Sequence, residues 1–351
     1  MRMIAYVPHD GTATGTGNMN ESLYRQVKRM LLLTELECKP SLDLVQAWLL
    51  MASYEIGHGL ESAAYLSIGS CARLAILLGL ERKFDGGANS TLMEEKSRTW
   101  WGIVIVERHI NLAFPHRPLL TSDPEANGYL PAYDDDKWDD GSGQSRASVP
   151  MTTSSDIPAG PFAREVQAAT LLGRTLTHIT KPTPDVEFNV AESRQLDRTL
   201  TSFLSVLPAE DVLKPCSAYC GAMGICTSAL LLLHTYEVNH QHNFQNDWHN
   251  FPSSQDAIGF CCDFVIERAA KYTSELATVD IDSLSPFAPH AIYQASVLQY
   301  RFLAQSGSNK HTADIRLRLD MLEEMLASFS RRWGTAGEGV PFHVRDMPFP
   351  Y

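Results

Sequence analysis

Apolar residues follow a helical pattern most densely between residues 41 and 131. In the first of three such segments they recur at spacings of three and four over Leu42–Ile56, and Ser41, a favourable N-cap residue, precedes them. Gly57 and Gly59 follow, and glycine readily adopts the left-handed backbone conformation that ends many helices. This segment is therefore predicted to be a helix with one buried face.

Two more helical segments follow within the same block. The second has a stripe of apolar and small residues over Tyr65–Leu78 and ends at Gly79. The third begins at Thr91, which forms a capping-box pattern with Glu94, and it is apolar on every face over Trp100–Val106. Because a helix that is apolar all round must be surrounded by other elements, this segment is predicted to be a central helix.

Three charged residues interrupt this apolar block. Arg73 lies in the second segment, and Glu107 and Arg108 lie in the third. Ionised side chains are tolerated in a protein interior only when they are paired. We therefore predict that Arg73 pairs with Glu107 and fixes the register of the two helices. The alternative is that both side chains reach solvent along their own helix faces.

Several motifs of the block match one known family in order and spacing. Gln46–Leu50 has the form Q-A-x-L-L, and Arg73–Leu80 has the form R-x-A-x-x-L-G-L. The third motif has an acidic residue and an arginine before W-W, matched by Glu95, Arg98, Trp100 and Trp101, and then an acidic residue with arginine, matched by Glu107 and Arg108. The R-P and L-P pairs that follow are matched by Arg117 and Pro118 and by Leu130 and Pro131. The block resembles the fungal-specific transcription factor domain, the regulatory region that follows the zinc binuclear cluster in many fungal activators. Glu107 stands where that family has aspartate, and His116 stands where it has glycine.

The rest of the chain agrees with the all-α fold class that this resemblance implies. Helical patterns resume after an acidic, serine- and glycine-rich loop, and cover Phe162–Ile179, Val186–Leu207, Cys216–Tyr236, Ile258–Leu276, Pro286–Leu303 and Ile315–Trp333. We predict a helical array of roughly ten helices without convincing strands. Residues 1–20 are predicted to be a flexible leader, and residues 21–131 form the motif-bearing block. The loop covers residues 132–161, and the C-terminal helices, residues 162–351, are predicted to pack on the same core.

The charge of the chain argues against direct binding to nucleic acid. The 351 residues carry a formal net charge of −12 at pH 7, which repels a phosphate backbone. None of the seven cysteines forms a C-x2-C pair, so the six-cysteine zinc cluster of the family is not in this sequence. We expect no nucleic-acid contact from this chain. The alternative is that the gene product is longer and that the cluster is encoded upstream.

Composition also bears on location. No apolar run reaches the roughly 20 residues of a membrane span, and the N-terminus lacks the pattern of a secretory signal. The odd number of cysteines fits reduced thiols. We expect an intracellular protein, in the nucleus or the cytoplasm, without membrane contact.

The densest set of potential metal ligands lies in one stretch after the middle of the chain, and comprises His234, Glu237, His240, His242 and His249. The helix predicted there ends near Val238, so the last three histidines fall on an asparagine-rich loop, and the motif H-E-x-x-H is absent. We predict neither a metal site nor a cofactor.

An apolar pocket between helices is the remaining candidate site. The residues predicted to line it are Trp48, Tyr54, Arg73, Trp100, Trp101 and His290. Aromatic residues of this kind also fill ordinary cores, so a purely structural role is the alternative.

Two classes of function are open. The first is the regulatory domain of a fungal transcription regulator, which acts on a small-molecule effector or another transcription factor subunit, with a homodimer as a further option. The second is a stand-alone enzyme, a cofactor-independent cyclase or isomerase of a biosynthetic pathway. Its candidate catalytic residues are Glu107, His109, His58 and Asp263.

Overall fold

The computed structural model of the chain describes residues 17–37, 39–82, 90–123, 128–131, 149–151, 157–211, 218–240, 254–275, 284–305 and 310–334. Within these ranges the chain forms ten α-helices and one pair of two-residue strands, which confirms the all-α prediction. No helix in these ranges is long and apolar enough to cross a membrane. The chain divides into two compact units, Met1–Thr170 and Leu171–Tyr351.

The elements are numbered in chain order. The helices are α1 (Gly17–Leu36), α2 (Leu42–Gly57), α3 (Glu61–Leu77), α4 (Ser90–Ile110), α5 (Pro161–Thr180), α6 (Val186–Asp211), α7 (Cys220–His240), α8 (Ser254–Glu275), α9 (Ala288–Gln305) and α10 (Lys310–Ser330). The strands β1 (Tyr129–Leu130) and β2 (Val149–Pro150) lie between α4 and α5. All six helices expected after the loop are present, and their ends lie within about five residues of those predicted. The packing of these helices on the motif-bearing block stays a prediction.

Helices α2, α3 and α4 pack against one another and form the core of the first unit. Ser41 caps α2 as expected, because its Oγ accepts a hydrogen bond from the backbone N–H of Leu44 at 3.2 Å. Gly59 and Gly79 follow α2 and α3 with φ angles of 71° and 70°. This left-handed conformation costs glycine little, so both predicted helix ends are confirmed.

The central helix of this unit is α4, as its sequence predicts. All four residues of Ile103–Val106 are buried, although successive residues point in different directions around the helix. The helix begins at Ser90, so Thr91 lies inside it and the predicted capping box with Glu94 is wrong. Glu94 instead accepts a hydrogen bond from Arg98 Nε at 3.0 Å, one turn further along the same helix.

Helix α1 is held on α2 by a polar cluster. Glu55 of α2 is fully buried, and its carboxylate accepts hydrogen bonds from Tyr24 Oη at 2.7 Å, from Ser67 Oγ and from Lys28 Nζ. The Lys28 ammonium group also lies 5.5 Å from the centroid of the Trp48 ring, within cation–π range. A buried carboxylate is tolerated only with such partners, so the cluster fixes the position of α1.

The strands β1 and β2 are the small exception to the all-helical prediction. They pair antiparallel, with Tyr129 opposite Pro150 and Leu130 opposite Val149. The backbone N–H of Met151 extends the pair with a hydrogen bond to the carbonyl oxygen of Gly128 at 2.8 Å. β1 lies just before the predicted acidic loop of residues 132–161 and β2 lies within it, and residues 132–148 between them lie outside the described residues.

Helix α7 lies at the centre of the second unit. Every residue from Gly221 to His234 is buried, and α7 contacts α6, α8 and α9. Its backbone approaches the start of α9 so closely that a Cβ atom on Gly224 would lie 2.7 Å from Ala288 Cα and 2.8 Å from the carbonyl oxygen of Phe287. Only glycine fits at this crossing, and α9 packs in turn on α10.

Candidate functional site

The charged residues of the apolar block form a buried network in the first unit. Glu107 and Arg108 of α4 pair directly, with Arg108 Nη1 2.7 Å from Glu107 Oε2. Thr121 joins them, because its Oγ1 accepts a hydrogen bond from Arg108 Nη1 at 2.7 Å and its backbone N–H donates one to Glu107 Oε2 at 3.1 Å. Arg108 Nη2 also lies 3.2 Å from Asp123 Oδ1. The network ties α4 to the loop that follows it.

This network replaces the pairing predicted between Arg73 and Glu107, which is wrong. Arg73 is exposed on α3. The carboxylate of Glu107 is instead engaged by Arg108, whose long side chain turns its guanidinium group back to the neighbouring residue. The general expectation that an ion in this block must be paired holds for both members of the buried pair.

Five of the six residues predicted to line a pocket lie in the first unit. Trp48, Tyr54 and Trp101 are buried in its core. Trp100 is half-buried and Arg73 is exposed. His290 lies in the second unit, where its Nδ1 is 3.1 Å from Ser228 Oγ and burial lowers its pKa to about 4. A pocket formed by these residues stays a prediction.

The four candidate catalytic residues are buried or engaged in other interactions. Glu107 belongs to the buried network, and Asp263 forms an ion pair at the surface. His58 Nδ1 lies 2.9 Å from the carbonyl oxygen of Tyr54, and its ring stacks on the Tyr54 ring. His109 is buried on α4. Glu107 and His109 are buried, whereas His58 is half-buried and Asp263 is exposed.

A cleft in the second unit is the candidate binding site. It lies among the C-terminal end of α5, the first half of α6 and the C-terminal end of α7, and it encloses about 20 Å³, room for roughly one water molecule, behind an opening to solvent. Its wall is formed by His178, Pro182, Asn189, Val190, Ser193, Tyr236 and Glu237. The histidine, asparagine, serine and glutamate side chains are buried, so the structure around them holds their polar atoms in place.

Glu237 supplies the carboxylate of this wall. Its Oε1 accepts a hydrogen bond from Ser193, and its Oε2 lies 2.8 Å from Ser254 Oγ and 3.0 Å from His234 Nδ1. On the other side of the His234 ring, Nε2 lies 3.0 Å from Asp197 Oδ1. Because carboxylates only accept hydrogen bonds, the imidazole ring donates from both nitrogens.

These contacts determine the charges behind the cleft. Burial disfavours the charged form of His234, but the hydrogen bonds and charges of Asp197 and Glu237 outweigh burial and raise its pKa to about 9. Burial likewise opposes ionisation of Glu237, but the contacts with His234 and two serine hydroxyls outweigh it and lower the pKa of this carboxyl. At neutral pH an imidazolium therefore lies between two carboxylates.

His178 supplies a second polar atom to the cleft. Its Nδ1 lies 2.9 Å from Glu192 Oε2, so Nδ1 carries a proton. In the neutral ring Nε2 is then an acceptor, and no described residue donates a hydrogen bond to it. The Tyr236 ring lies edge-on to the His178 ring, with the centroids 6.5 Å apart. The cleft thus combines acceptor atoms with an aromatic surface.

The structure shows the contacts of part of the set of potential metal ligands, for which the sequence predicts no metal site. His234 and Glu237 engage side chains of α6 and α8, whereas the side chain of His240 and all of His242 and His249 lie outside the described residues. Among the described side chains, no group of three or more His, Cys, Asp or Glu is placed to hold a metal ion.

A spacing signal for the cleft exists in the sequence. Ser193 and Asp197 are four residues apart on α6, and His234 and Glu237 are three residues apart on α7, so each pair lies on one helix face. The sequence does not show that these two faces meet. It also gave no reason to single out His178, which the packing of α5 brings to the cleft.

Comparison with known proteins identifies the family. The family model described as the fungal specific transcription factor domain matches residues 6–199, more than half of the chain. The chain is 29% identical over 186 residues to the azaphilone cluster-specific transcription factor azaR of Aspergillus niger, which covers 48% of this chain and 39% of that protein. Transcription factor BOA15 of Botryotinia fuckeliana is 39% identical over 74 residues, 21% of this chain and 41% of that protein.

A third relative has the same kind of name. The pigment biosynthesis transcriptional activator pigB of Monascus ruber is 28% identical over 180 residues, 46% of this chain and 32% of that protein. The chain spans less than half the length of each of these relatives. No solved structure matches it.

The motifs that carry the resemblance lie inside the matched range, and the structure connects them. Gln46 Nε2 of the first motif donates hydrogen bonds to Glu95 Oε1 at 3.0 Å and to Thr99 Oγ1 at 3.2 Å. It therefore joins α2 to the first half of α4, where the third motif begins. The acidic residue and arginine of the third motif, Glu107 and Arg108, form the buried network. The chain belongs to the fungal specific transcription factor domain family.

Proposed function

We propose that this chain is the regulatory domain of a fungal transcription regulator that controls genes for a secondary metabolite. The single observation that carries the proposal is the family match over residues 6–199. The names of two relatives, one specific to an azaphilone cluster and one an activator of pigment biosynthesis, support the choice of target genes. On this proposal the protein works in the nucleus.

The cleft of the second unit is where we expect a small-molecule effector to bind. Its support is the set of buried polar side chains held at fixed positions around an opening to solvent. A ligand that binds one conformation of the unit better than another shifts the population toward that conformation. Another transcription factor subunit or a second copy of this chain would then read the change. With a net charge of −12, the chain would reach promoters through such a partner.

Deletion of the gene tests this proposal. We expect the transcripts of neighbouring genes to fall together in the deletion strain, and their metabolic product to disappear without accumulation of one intermediate. RNA sequencing and mass spectrometry of culture extracts measure the two effects. Steady transcripts together with the build-up of one intermediate would show an enzyme instead and would refute the proposal.

Complementation of the deletion strain tests the role of the cleft. Val190→Phe places a large ring in the cleft wall, whereas Val186→Phe makes the same change at an exposed position of the same helix. Transcripts should return with wild-type protein and with Val186→Phe, and should respond abnormally with Val190→Phe. Full restoration by a stably expressed Val190→Phe protein would show that the cleft has no regulatory role.

A further inference from the structure

We infer that the cleft of the second unit binds a small organic amine through hydrogen bonds from its ammonium group to Glu237 and His178. The apolar part of the amine lies against the side chains that complete the wall. This inference rests on the proposed function, because it names the chemical class of the effector.

Two polar groups of the wall, Glu237 and His178, offer acceptor atoms. A carboxylate can accept about four hydrogen bonds. Glu237 receives them from Ser193 at Oε1 and from Ser254 and His234 at Oε2, so a position at Oε1 is left for a ligand. His178 contributes Nε2, which is an acceptor in the neutral ring with Nδ1–H directed at Glu192. An ammonium group carries three donors and no acceptor, and it matches both atoms.

Charge favours a cation over a neutral donor. The wall contains one carboxylate and neither lysine nor arginine. Behind the wall, the single positive charge of His234 is shared between Glu237 and Asp197, so this group of three carries one excess negative charge. Glu237 is buried and shares the charge of His234 with Asp197, so a ligand cation beside Glu237 adds to the compensation of its charge.

The remaining wall sets the size and shape of the ligand. Pro182 and Val190 are apolar, and the ring of Tyr236 offers a face or edge for a methylene chain or for the cation itself. The enclosed part of the cleft measures only about 20 Å³, room for one group of about the size of a water molecule, and the rest of the space is open to solvent. The ammonium group fits in the enclosed part, and the carbon chain lies at the opening. A short amine therefore fits better than a large one.

The same features disfavour other classes of ligand. An anion would be repelled by the Glu237 carboxylate. A divalent hard cation is disfavoured because it requires several oxygen ligands. The described residues offer no group of three or more ligating side chains here.

Three matched probes test the inference on the full chain. The probes n-butylamine, n-butanol and butyrate share one carbon chain and differ in charge, and saturation-transfer difference NMR at neutral pH measures their binding. We expect n-butylamine to bind about tenfold or more tightly than n-butanol, because hydrogen bonds to charged groups are the stronger ones. We expect no binding of butyrate.

Two variants with matched controls locate the binding. Val190→Phe fills the cleft and Glu237→Gln removes the charge without changing the shape, and each should weaken n-butylamine about tenfold or more. The controls are Val186→Phe, exposed on the same helix, and Glu323→Gln, which accepts a hydrogen bond from Tyr300 elsewhere in the unit. Both controls should bind n-butylamine as the wild type does.

Each outcome decides for or against the amine. Equal binding of the three probes, absence of n-butylamine binding, or undiminished binding by a folded Val190→Phe protein overturns the inference. Circular dichroism shows whether the variants fold, and if they do not, the three probes decide on the wild-type protein alone. Loss of transcripts on gene deletion without amine binding removes only this inference. Steady transcripts with selective amine binding remove the proposed function and leave the ligand class intact.

Discussion

Replacement of Arg108 by methionine tests the energetic role of the buried network in the first unit. The change removes the guanidinium group but keeps a long side chain of similar reach. Glu107, only 2% exposed, would lose the cation that lies 2.7 Å from its Oε2. It would keep the hydrogen bonds donated by Thr121 and by the backbone N–H of Leu120. The variant therefore leaves a hydrogen-bonded but uncompensated charge inside the protein.

The expected cost follows from this geometry. Breaking a buried ion pair by removal of one partner costs about 3–5 kcal/mol. Because Glu107 retains several hydrogen-bond donors, we expect a loss near the lower end, about 3 kcal/mol, in the free energy of unfolding of the first unit. A domain is stable by only about 5–15 kcal/mol in total, so this is a large share.

Urea unfolding followed by circular dichroism measures the loss, and hydrogen exchange of α4 peptides assigns it to the first unit. Arg73→Met is the matched control, because Arg73 is exposed on α3 and its replacement should change stability by less than about 0.5 kcal/mol. Adding Glu107→Gln to Arg108→Met should recover stability, since the uncompensated charge is then removed from the network. A loss below about 1 kcal/mol for Arg108→Met would refute the reasoning.

Three further predictions concern other parts of the fold. The pKa of His234 is raised from 6.5 to about 9, so its contribution to the second unit is complete below pH 6.5 and is lost as the pH rises to about 9. Urea titrations should show up to about 1.4 kcal/mol of loss per pH unit in this window, and a slope that survives in His234→Gln would contradict the assignment. Lys28→Met removes the cation beside the buried Glu55 carboxylate and should speed hydrogen exchange in α1, whereas Arg29→Met, at an exposed position, should not. Equal exchange rates in the two variants would contradict the role of the cluster. Gly224→Ala should lower the melting temperature by several degrees, because the added Cβ meets the backbone at the start of α9. Gly259→Ala, with open space around it, should raise the free energy of unfolding by up to about 1 kcal/mol, and thermal scans that do not separate the two variants would contradict the close contact.

The helices could be predicted because their signals are local. Spacings of three and four, a serine cap at Ser41 and glycines at Gly59 and Gly79 are all written in short stretches of sequence, and the structure has the expected ends there. The apolar run Ile103–Val106 also predicted correctly that α4 is surrounded. Local signals failed at the start of α4, where Thr91 lies within the helix, because helix boundaries depend on competing interactions such as that of Glu94 with Arg98.

The pairing of charges and the cleft could not be predicted, because both depend on tertiary contacts. A buried Glu107 needs a partner, but sequence spacing cannot choose between Arg73 on another helix and Arg108 beside it. The cleft requires the meeting of faces from α5, α6 and α7, and one of its polar atoms comes from His178, which no motif marks. The family match identifies the domain, but it ends at residue 199, before α7 begins.

The paired strands β1 and β2 offer a practical handle on the protein. They pair on either side of residues 131–148, a stretch rich in aspartate. This stretch can be lengthened at little cost, because loop-closure entropy costs only about 0.6 kcal/mol more for each doubling of the loop length. A fluorescent protein inserted between the strands would therefore be attached where the two chain segments already lie side by side. We expect such an insertion to place little strain on α4 and α5. In a living cell such a fusion would let the movements of the protein be followed while both termini stay free for other partners.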